Sequence, residues 1–329
     1  MNVLVIGGAG YIGSHAVNKL IKKGYAVSVL DNLVTGHLDA VDEKATFYQG
    51  DIRDKAKLNE IIQEEKIEAI FHFAASSLVG ESVEKPLKYF NNNVVGMEVL
   101  LEAMMENDVK KIIFSSTAAV YGEVETDLIT ENELKNPTSP YGESKLMMER
   151  MIQWCDTAYG IKFVSLRYFN VAGALSTGEI GEDHDPETHL IPIVLQAALG
   201  QREAITIFGD DYATPDGTCI RDYVHVEDLI DAHILALEYL NNHTTSQIFN
   251  LGSSTGYSVK EIVEAARKVT GKEIPAMIGE RRAGDPAKLV AASDKAREVL
   301  GWQPTYERIE DIIQTAWKWH EANPDGYKK

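Results

Sequence analysis

The stretch Asn2-Val3-Leu4-Val5-Ile6-Gly7-Gly8-Ala9-Gly10-Tyr11-Ile12-Gly13 decides how the rest of the chain is read. Val3 to Ile6 is an apolar run without alternation, the pattern of a parallel strand buried on both faces. Gly7, Gly10 and Gly13 then stand at a spacing that lets the backbone turn tightly and approach a pyrophosphate. A helix must follow, so that its first amides face the phosphates. The sequence supplies one: Val17, Leu20 and Ile21 form an apolar stripe between Ser14 and Lys23, and Gly24 ends it. A second apolar run, Ala26 to Leu30, delivers Asp31. An acid about 20 residues past the glycines can accept both ribose hydroxyls and repel a 2′-phosphate. A glycine turn alone could be purely structural, but strand, glycines, helix, strand and acid in this order argue for a dinucleotide site.

Strands and helices alternate from there. Residues 47–49, 69–73, 111–114 and 163–167 read as strands, and residues 58–65 and 91–107 as helices. The fold class is therefore α/β, a Rossmann-type doubly wound parallel sheet. Ligands sit beyond the carboxyl ends of such strands, where Asp31, Asp51, Phe73, Thr117 and Tyr168 lie. After about residue 170 the pattern changes to glycine, acid and proline, with a polar segment at 210–228 and amphipathic helices at 262–270 and 309–320. Residues 1–170 are expected to form the cofactor domain, with about 221–252 returning to it through the strand-like run 248–252. Residues 171–329 are expected to form mostly a smaller mixed substrate domain.

A second motif is Tyr141-Gly142-Glu143-Ser144-Lys145. Ser139 and Pro140 read as a helix N-cap and first residue. Tyr141 and Lys145, four apart, then share one helix face. A nearby ammonium lowers a phenol pKa, and a tyrosine so tuned can take a proton from an alcohol near neutral pH. The spacing is common by chance; the dinucleotide context gives it weight.

Of the 329 residues, 44% are hydrophobic and 25% charged, as in ordinary globular proteins. A net charge of −18 argues against nucleic-acid binding through a basic surface. Two cysteines, Cys155 and Cys219, imply no disulfide framework, and no run reads as a signal peptide or membrane span. A cytoplasmic location is expected. His184 and His189 lie near Asp183 and Asp185, but at no helical metal-pair spacing, so a solvated acidic loop without a metal is expected.

The chain resembles the extended short-chain dehydrogenases/reductases of the NAD(P)-dependent epimerase/dehydratase family, and among them the UDP-glucose 4-epimerases. The resemblance spans nearly the whole chain. It rests on the glycine motif with Ser14-His15, Leu30-Asp31-Asn32-Leu33, Gly50-Asp51-Ile52-Arg53, His72-Phe73-Ala74-Ala75, Val79-Gly80-Glu81-Ser82, Asn92-Asn93-Val94, Ser115 to Gly122 and the Tyr141 segment. Further on it rests on Arg167-Tyr168-Phe169-Asn170, on Asp216 to Val226 within the more diagnostic segment Asp210 to Val226, and on Arg281 to Pro286.

The resemblance implies catalysis by Tyr141, Lys145 and Thr117. It implies NAD contacts from Gly7, Gly10, Tyr11, Ile12, Gly13, Asp31, Asn32, Asp51, Ile52, Phe73, Ala74, Ala75, Asn92, Tyr141, Lys145 and Phe169. The nucleotide sugar, UDP-glucose or UDP-galactose, would meet Thr117, Tyr141, Asn170, His189, Leu190, Thr206, Ile207, Phe208, Arg221, Arg282, Asp285 and Leu289. A homodimer is implied by the family. The chain departs from some relatives at Ser77 (lysine), Ala75 (glycine), His189 (asparagine) and Leu289 (tyrosine). Leucine in place of tyrosine would admit UDP-N-acetylhexosamines. Two alternatives stay open. A dehydratase or decarboxylase is disfavoured by Ala118-Ala119, where dehydratases carry an Asp-Glu pair, and a silent NAD-binding protein by the intact Thr117, Tyr141 and Lys145.

Overall fold

The computed structural model describes residues 1–124, 126–282 and 285–327. Seven parallel strands form the main sheet, in the order Gln247–Leu251, Lys162–Tyr168, Lys111–Ser115, Ala69–His72, Asn2–Ile6, Ala26–Asp31 and Thr46–Gln49. The order reverses beside Asn2–Ile6, which pairs with Ala26–Asp31 on one side and Ala69–His72 on the other. That reversal is the switch point where such sheets bind ligands.

Strand periodicity explains the layers. Val3 and Val5 face one side with Val29, Phe71, Ile113 and Val164. Helices Tyr11–Lys22 and Val226–Asn242 cover them through Ala16, Val17, Leu20, Leu229 and Ile230. Leu4 and Ile6 face the other side with Leu30, Ile70, Ile112 and Phe114. Helices Lys55–Glu64, Gly96–Glu106 and Pro140–Tyr159 cover those. Successive side chains alternate across a strand, so both faces of a buried parallel sheet must be apolar. The chain before Gly96 departs from a simple helix: Phe90–Val95 is one π-helical turn.

The smaller unit has its own core. Helices Leu190–Ala198, Val259–Thr270 and Ile309–Ala322 pack around Ile205, Ile207 and Tyr223. Its strands are short: Ile205–Phe208 beside Ala276–Gly279, and Ile220–Arg221 between Tyr257–Ser258 and Lys288–Leu289. Asp222 lies at the seam. Its carboxylate is buried and accepts hydrogen bonds from the amides of Ser253 and Ala291, while its carbonyl accepts from the Asn170 amide. Among the described residues no helix is long and apolar enough to cross a membrane.

Candidate active site

The glycine turn is closed on one side and open on the other. Gly7 has φ +81°, and a Cβ there would stand 2.5 Å from the Ala74 amide nitrogen. A Cβ on Gly13 would stand 2.0 Å from the Gly7 carbonyl oxygen, whereas one on Gly10 would meet nothing nearer than 3.5 Å. Gly10 is the N-cap of the Tyr11–Lys22 helix and contributes no side-chain cap. The first-turn amides therefore remain available to an anion.

Asp31 ends its strand against this turn. Its carboxylate accepts from the Ala9 amide at 3.0 Å and the Leu33 amide at 2.8 Å. Asp51 is held by the Arg53 guanidinium at 2.6 and 2.8 Å, which brings its carboxyl down to about 2. Asn32 lies beside Asp51 and acts to lower its pKa, Ile52 is buried, and Asn92 donates to Asn93. The Phe73 and Ala74 amides donate to the Ile6 carbonyl, with Ala75 next in the chain. Tyr11 donates to the Gly173 carbonyl at 2.7 Å, and Ile12 packs on the core. A cradle in which Gly7 and Gly13 admit no side chain, free amides and a fixed acid fit a dinucleotide.

Thr117, Tyr141 and Lys145 come together past the end of strand Lys111–Ser115. Ser139 caps the Pro140–Tyr159 helix, its hydroxyl accepting from the Gly142 amide at 3.2 Å. Thr117 lies beside the Tyr141 phenol, and its hydroxyl accepts from the Ala119 amide at 3.1 Å. Lys145 is 2% exposed and donates to the Ser115 carbonyl at 2.8 Å. The electrostatics correct one expectation. Burial raises the Tyr141 pKa, and the neighbouring Thr117 hydroxyl acts to lower it. Burial also brings the Lys145 ammonium down to about 7, against the pull of Glu149. In the chain alone the net direction is upward, so a cationic ligand beside the phenol would favour its ionisation.

A buried network beneath this wall escaped the sequence reading. Arg167 and Glu149, 2% and 1% exposed, pair at 2.5 and 2.9 Å. Ser116 donates to Glu149 at 2.5 Å; Arg167 donates to Tyr121, which donates to Asn250. Asn93, on the π turn, ties Ser76 to Ser144. A Glu at i+8 from Tyr141 and an Arg inside an apolar strand were visible signals, since buried charges are paired.

Apart from Thr117 and Tyr141, the residues expected to meet the nucleotide sugar lie in the smaller unit and at the seam. Thr206, Ile207 and Phe208 share one strand, and Arg282 stacks on Phe208 at 4.0 Å. Arg221 pairs with Asp285. Leu289 lies opposite Arg221 in the next strand and, like Phe169, packs partly buried against Val120, Tyr121, Ile129 and Leu146. Ala283-Gly284 of the Arg281 to Pro286 motif lies outside the described residues. His189 is the N-cap of the helix that starts at Leu190.

The segment around His189 is not the solvated acidic loop expected from sequence. The Glu182 and Glu187 side chains are each 4% exposed and face His184 and His189. Asp183 turns away to His37 and the Tyr327 amide. Burial acts to lower both imidazoles, but the two carboxylates outweigh it and raise His184 to about 9 and His189 to about 10.

The pattern of the NAD dependent epimerase/dehydratase family matches residues 3–252. A UDP-glucose 4-epimerase of Lacticaseibacillus casei is 60% identical over 327 residues, covering 99% of each chain. A crystal structure of a UDP-glucose 4-epimerase, 60% identical, superposes with a TM-score of 0.99 over all of both chains. The Brucella ovis UDP-glucose 4-epimerase in complex with NAD is 48% identical, with a TM-score of 0.94 over 96% of this chain and 97% of that one. With its glycine cradle and its Tyr141–Lys145 helix, the chain belongs to the NAD dependent epimerase/dehydratase family.

Proposed function

We propose that this protein interconverts UDP-galactose and UDP-glucose, with NAD as a resident cofactor. The observation that carries the reading is the convergence of Thr117, Tyr141 and Lys145 with no acidic pair after Thr117, where Ala118 and Ala119 stand instead. NAD would lie on Gly7, Gly10, Tyr11, Ile12 and Gly13, with its adenosine ribose at Asp31 and Asn32 and its adenine near Asp51 and Ile52. Phe73, Ala74, Ala75, Asn92 and Phe169 would line the rest of its path. Bound there, NAD supplies the hydride acceptor and donor for C4 of the sugar and a positive charge beside the phenol.

The chain's residues handle the proton and the grip. Tyr141 takes the proton of the C4 hydroxyl and later returns it. Thr117 spends one lone pair on the Ala119 amide and keeps its own proton, and a second lone pair, to align that hydroxyl and the phenol. Lys145 uses one donor on the Ser115 carbonyl and has two left for the phenol and the cofactor ribose. The 4-keto sugar must present its other face before the hydride returns, so the hexose is held loosely and the UDP firmly. Arg221 and Arg282 suit the diphosphate, because guanidinium forks match phosphate oxygens. Asn170, His189, Leu190, Thr206, Ile207, Phe208, Asp285 and Leu289 line the remaining site. Val83, Leu87, Met147 and Trp154 are exposed on neighbouring helices, and Met147 and Trp154 share one helix face, which supports a homodimer. The two free cysteines agree with a cytoplasmic setting.

The test is to incubate the purified protein with UDP-galactose and identify the product, with no nicotinamide cofactor added beyond any needed to reconstitute the protein. UDP-glucose is expected, with UDP-galactose formed in the reverse assay. Free NADH building up in proportion to product would replace this reading with a dehydrogenase.

A further inference from the structure

Glu182, His184, Glu187 and His189 form a cluster; His189 also stands among the residues assigned to the nucleotide sugar, but Glu182, His184 and Glu187 have no part in the cofactor or sugar chemistry. They lie on a loop, at spacings of two, three and two residues, and come together only because it folds back on itself. Their ligand-capable atoms all lie within 4.8 Å of one another. His189 Nδ1 stands 2.9 Å from Glu182 Oε1 and 3.2 Å from Glu187 Oε1. His184 Nδ1 stands 3.3 Å from Glu182 Oε1 and 3.7 Å from Glu187 Oε2. Bonds of about 2.1 Å to a tetrahedral ion put neighbouring ligand atoms roughly 3.4 Å apart. Three of these separations, 2.9, 3.2 and 3.3 Å, use a single oxygen of each glutamate and lie at or just under that edge, while the 3.7 Å one reaches the second Glu187 oxygen.

The chemistry of the ligand set agrees. His184 Nδ1 is shut off from water and makes no hydrogen bond, although two carboxylates stand beside it. With neutral imidazoles, the two buried carboxylates carry two negative charges, which one divalent cation cancels. The outer contacts fix the ligands. Glu187 Oε1 accepts from the Thr188 and His189 amides, both at 2.7 Å. The loop is pinned by the Tyr327 hydroxyl on the Gly181 amide and by Trp319, against which a Cβ on Gly181 would collide at 2.2 Å. His189 is 46% exposed, which leaves an entry path from solvent.

We propose that Glu182, His184, Glu187 and His189 bind one divalent transition ion of the zinc class, as a closed structural site. Imidazole and carboxylate ligands in a tetrahedral set favour zinc over calcium or magnesium. All four positions are filled by the protein, so the ion activates no water. It ties the loop that leads into the Leu190–Ala198 helix to the glycine turn, whose Tyr11 ring meets His184 edge-on at 6.3 Å between centroids.

The test uses the full chain without a histidine tag, stripped with a chelator and titrated with Zn²⁺ by calorimetry. One ion per chain is expected, at micromolar affinity or tighter. His184→Ala and Glu182→Gln should each weaken binding by at least about 100-fold, since even outer-shell changes cost 10–100-fold. Zn²⁺ should also raise the melting temperature of the unsubstituted chain. No saturable Zn²⁺ binding, or equal affinity in both variants, would overturn the site and leave the cluster held by protons. If the variants misfold, the Co²⁺ spectrum of the unsubstituted chain decides. Intense four-coordinate bands support the site, and their absence sinks it.

Discussion

Arg167 and Arg221 both face a carboxylate, in regions built to different ends. Arg167 lies under the Thr117–Tyr141 wall, sealed with Glu149 and tied through Tyr121 to Asn250. Arg221 lies in a small three-stranded sheet, 16% exposed, against an Asp285 that is 30% exposed. Nearby, Arg281 and Asp211 pair with 45% and 73% of their side chains in solvent. A saturated, dry network has one arrangement, which is what a proton-transfer group needs behind it. A half-wet pair can exchange its carboxylate for a diphosphate at small cost. The difference suits the proposed function, in which the cofactor stays and the nucleotide sugar comes and goes.

The largest effect tests the rigid side directly. Tyr141→Phe keeps the ring and removes the acid–base group; turnover is expected to fall by about 10²–10⁴. UDP-sugar binding, measured by calorimetry, should barely change. Near-normal turnover would assign the proton to another residue.

The buried pair gives the next largest. Arg167→Met strands the Glu149 charge and should cost about 3–5 kcal/mol in urea unfolding. Adding Glu149→Gln should recover a good part of it. Arg281→Ala, on the wet side, should stay within about 1 kcal/mol. Similar losses for Arg167→Met and Arg281→Ala would erase the contrast.

Lys145 adds a pH dependence. Its folded pKa of about 7 lies below the unfolded value of about 10.4. Between those values the unfolded chain holds a proton that the cofactor-free folded chain has released. Stability therefore rises with pH across that window, by at most about 1.4 kcal/mol per unit. The stability of the unsubstituted chain relative to Lys145→Met should climb from pH 7 towards pH 10, and parallel curves would show that the ammonium is not desolvated.

Two smaller effects probe selectivity on each side. Asp31→Ala should weaken NAD by about 1.5–3 kcal/mol, the range for hydrogen bonds to a charged group, and narrow the gap to NADP. Equal binding of both cofactors by the unsubstituted protein would remove Asp31 from that role. Leu289→Tyr should depress conversion of UDP-N-acetylglucosamine roughly tenfold more than that of UDP-glucose, the scale of a pocket-shape change. Leu289 packs partly against Val120 and Leu146, so the effect is expected to be the smallest. No acetamido activity in either the unsubstituted chain or Leu289→Ala would end the gatekeeper idea.

Local signals made much of the cofactor side legible. Ser139-Pro140 marked a helix start because a hydroxyl cap and a fixed φ act within a few residues, and the helix begins there. The strand runs were plain because a doubly covered strand must be apolar throughout. The helices Val226–Asn242 and Leu190–Ala198 went unread, one behind a polar segment and the other after a loop whose character composition misjudged.

The sequence by itself determined the alternating sheet, the glycine cradle, Asp31 at a strand end and Tyr141 with Lys145 on one helix. These depend on neighbours along the chain or on the period of an element. Tertiary structure alone decided that Glu149 would meet Arg167, that Lys145 would be buried with one donor on the Ser115 carbonyl, and that Glu182, His184, Glu187 and His189 would converge. The reason is physical. The energy of a charge depends on its desolvation and on partners brought from other segments, and neither quantity exists until the chain has packed.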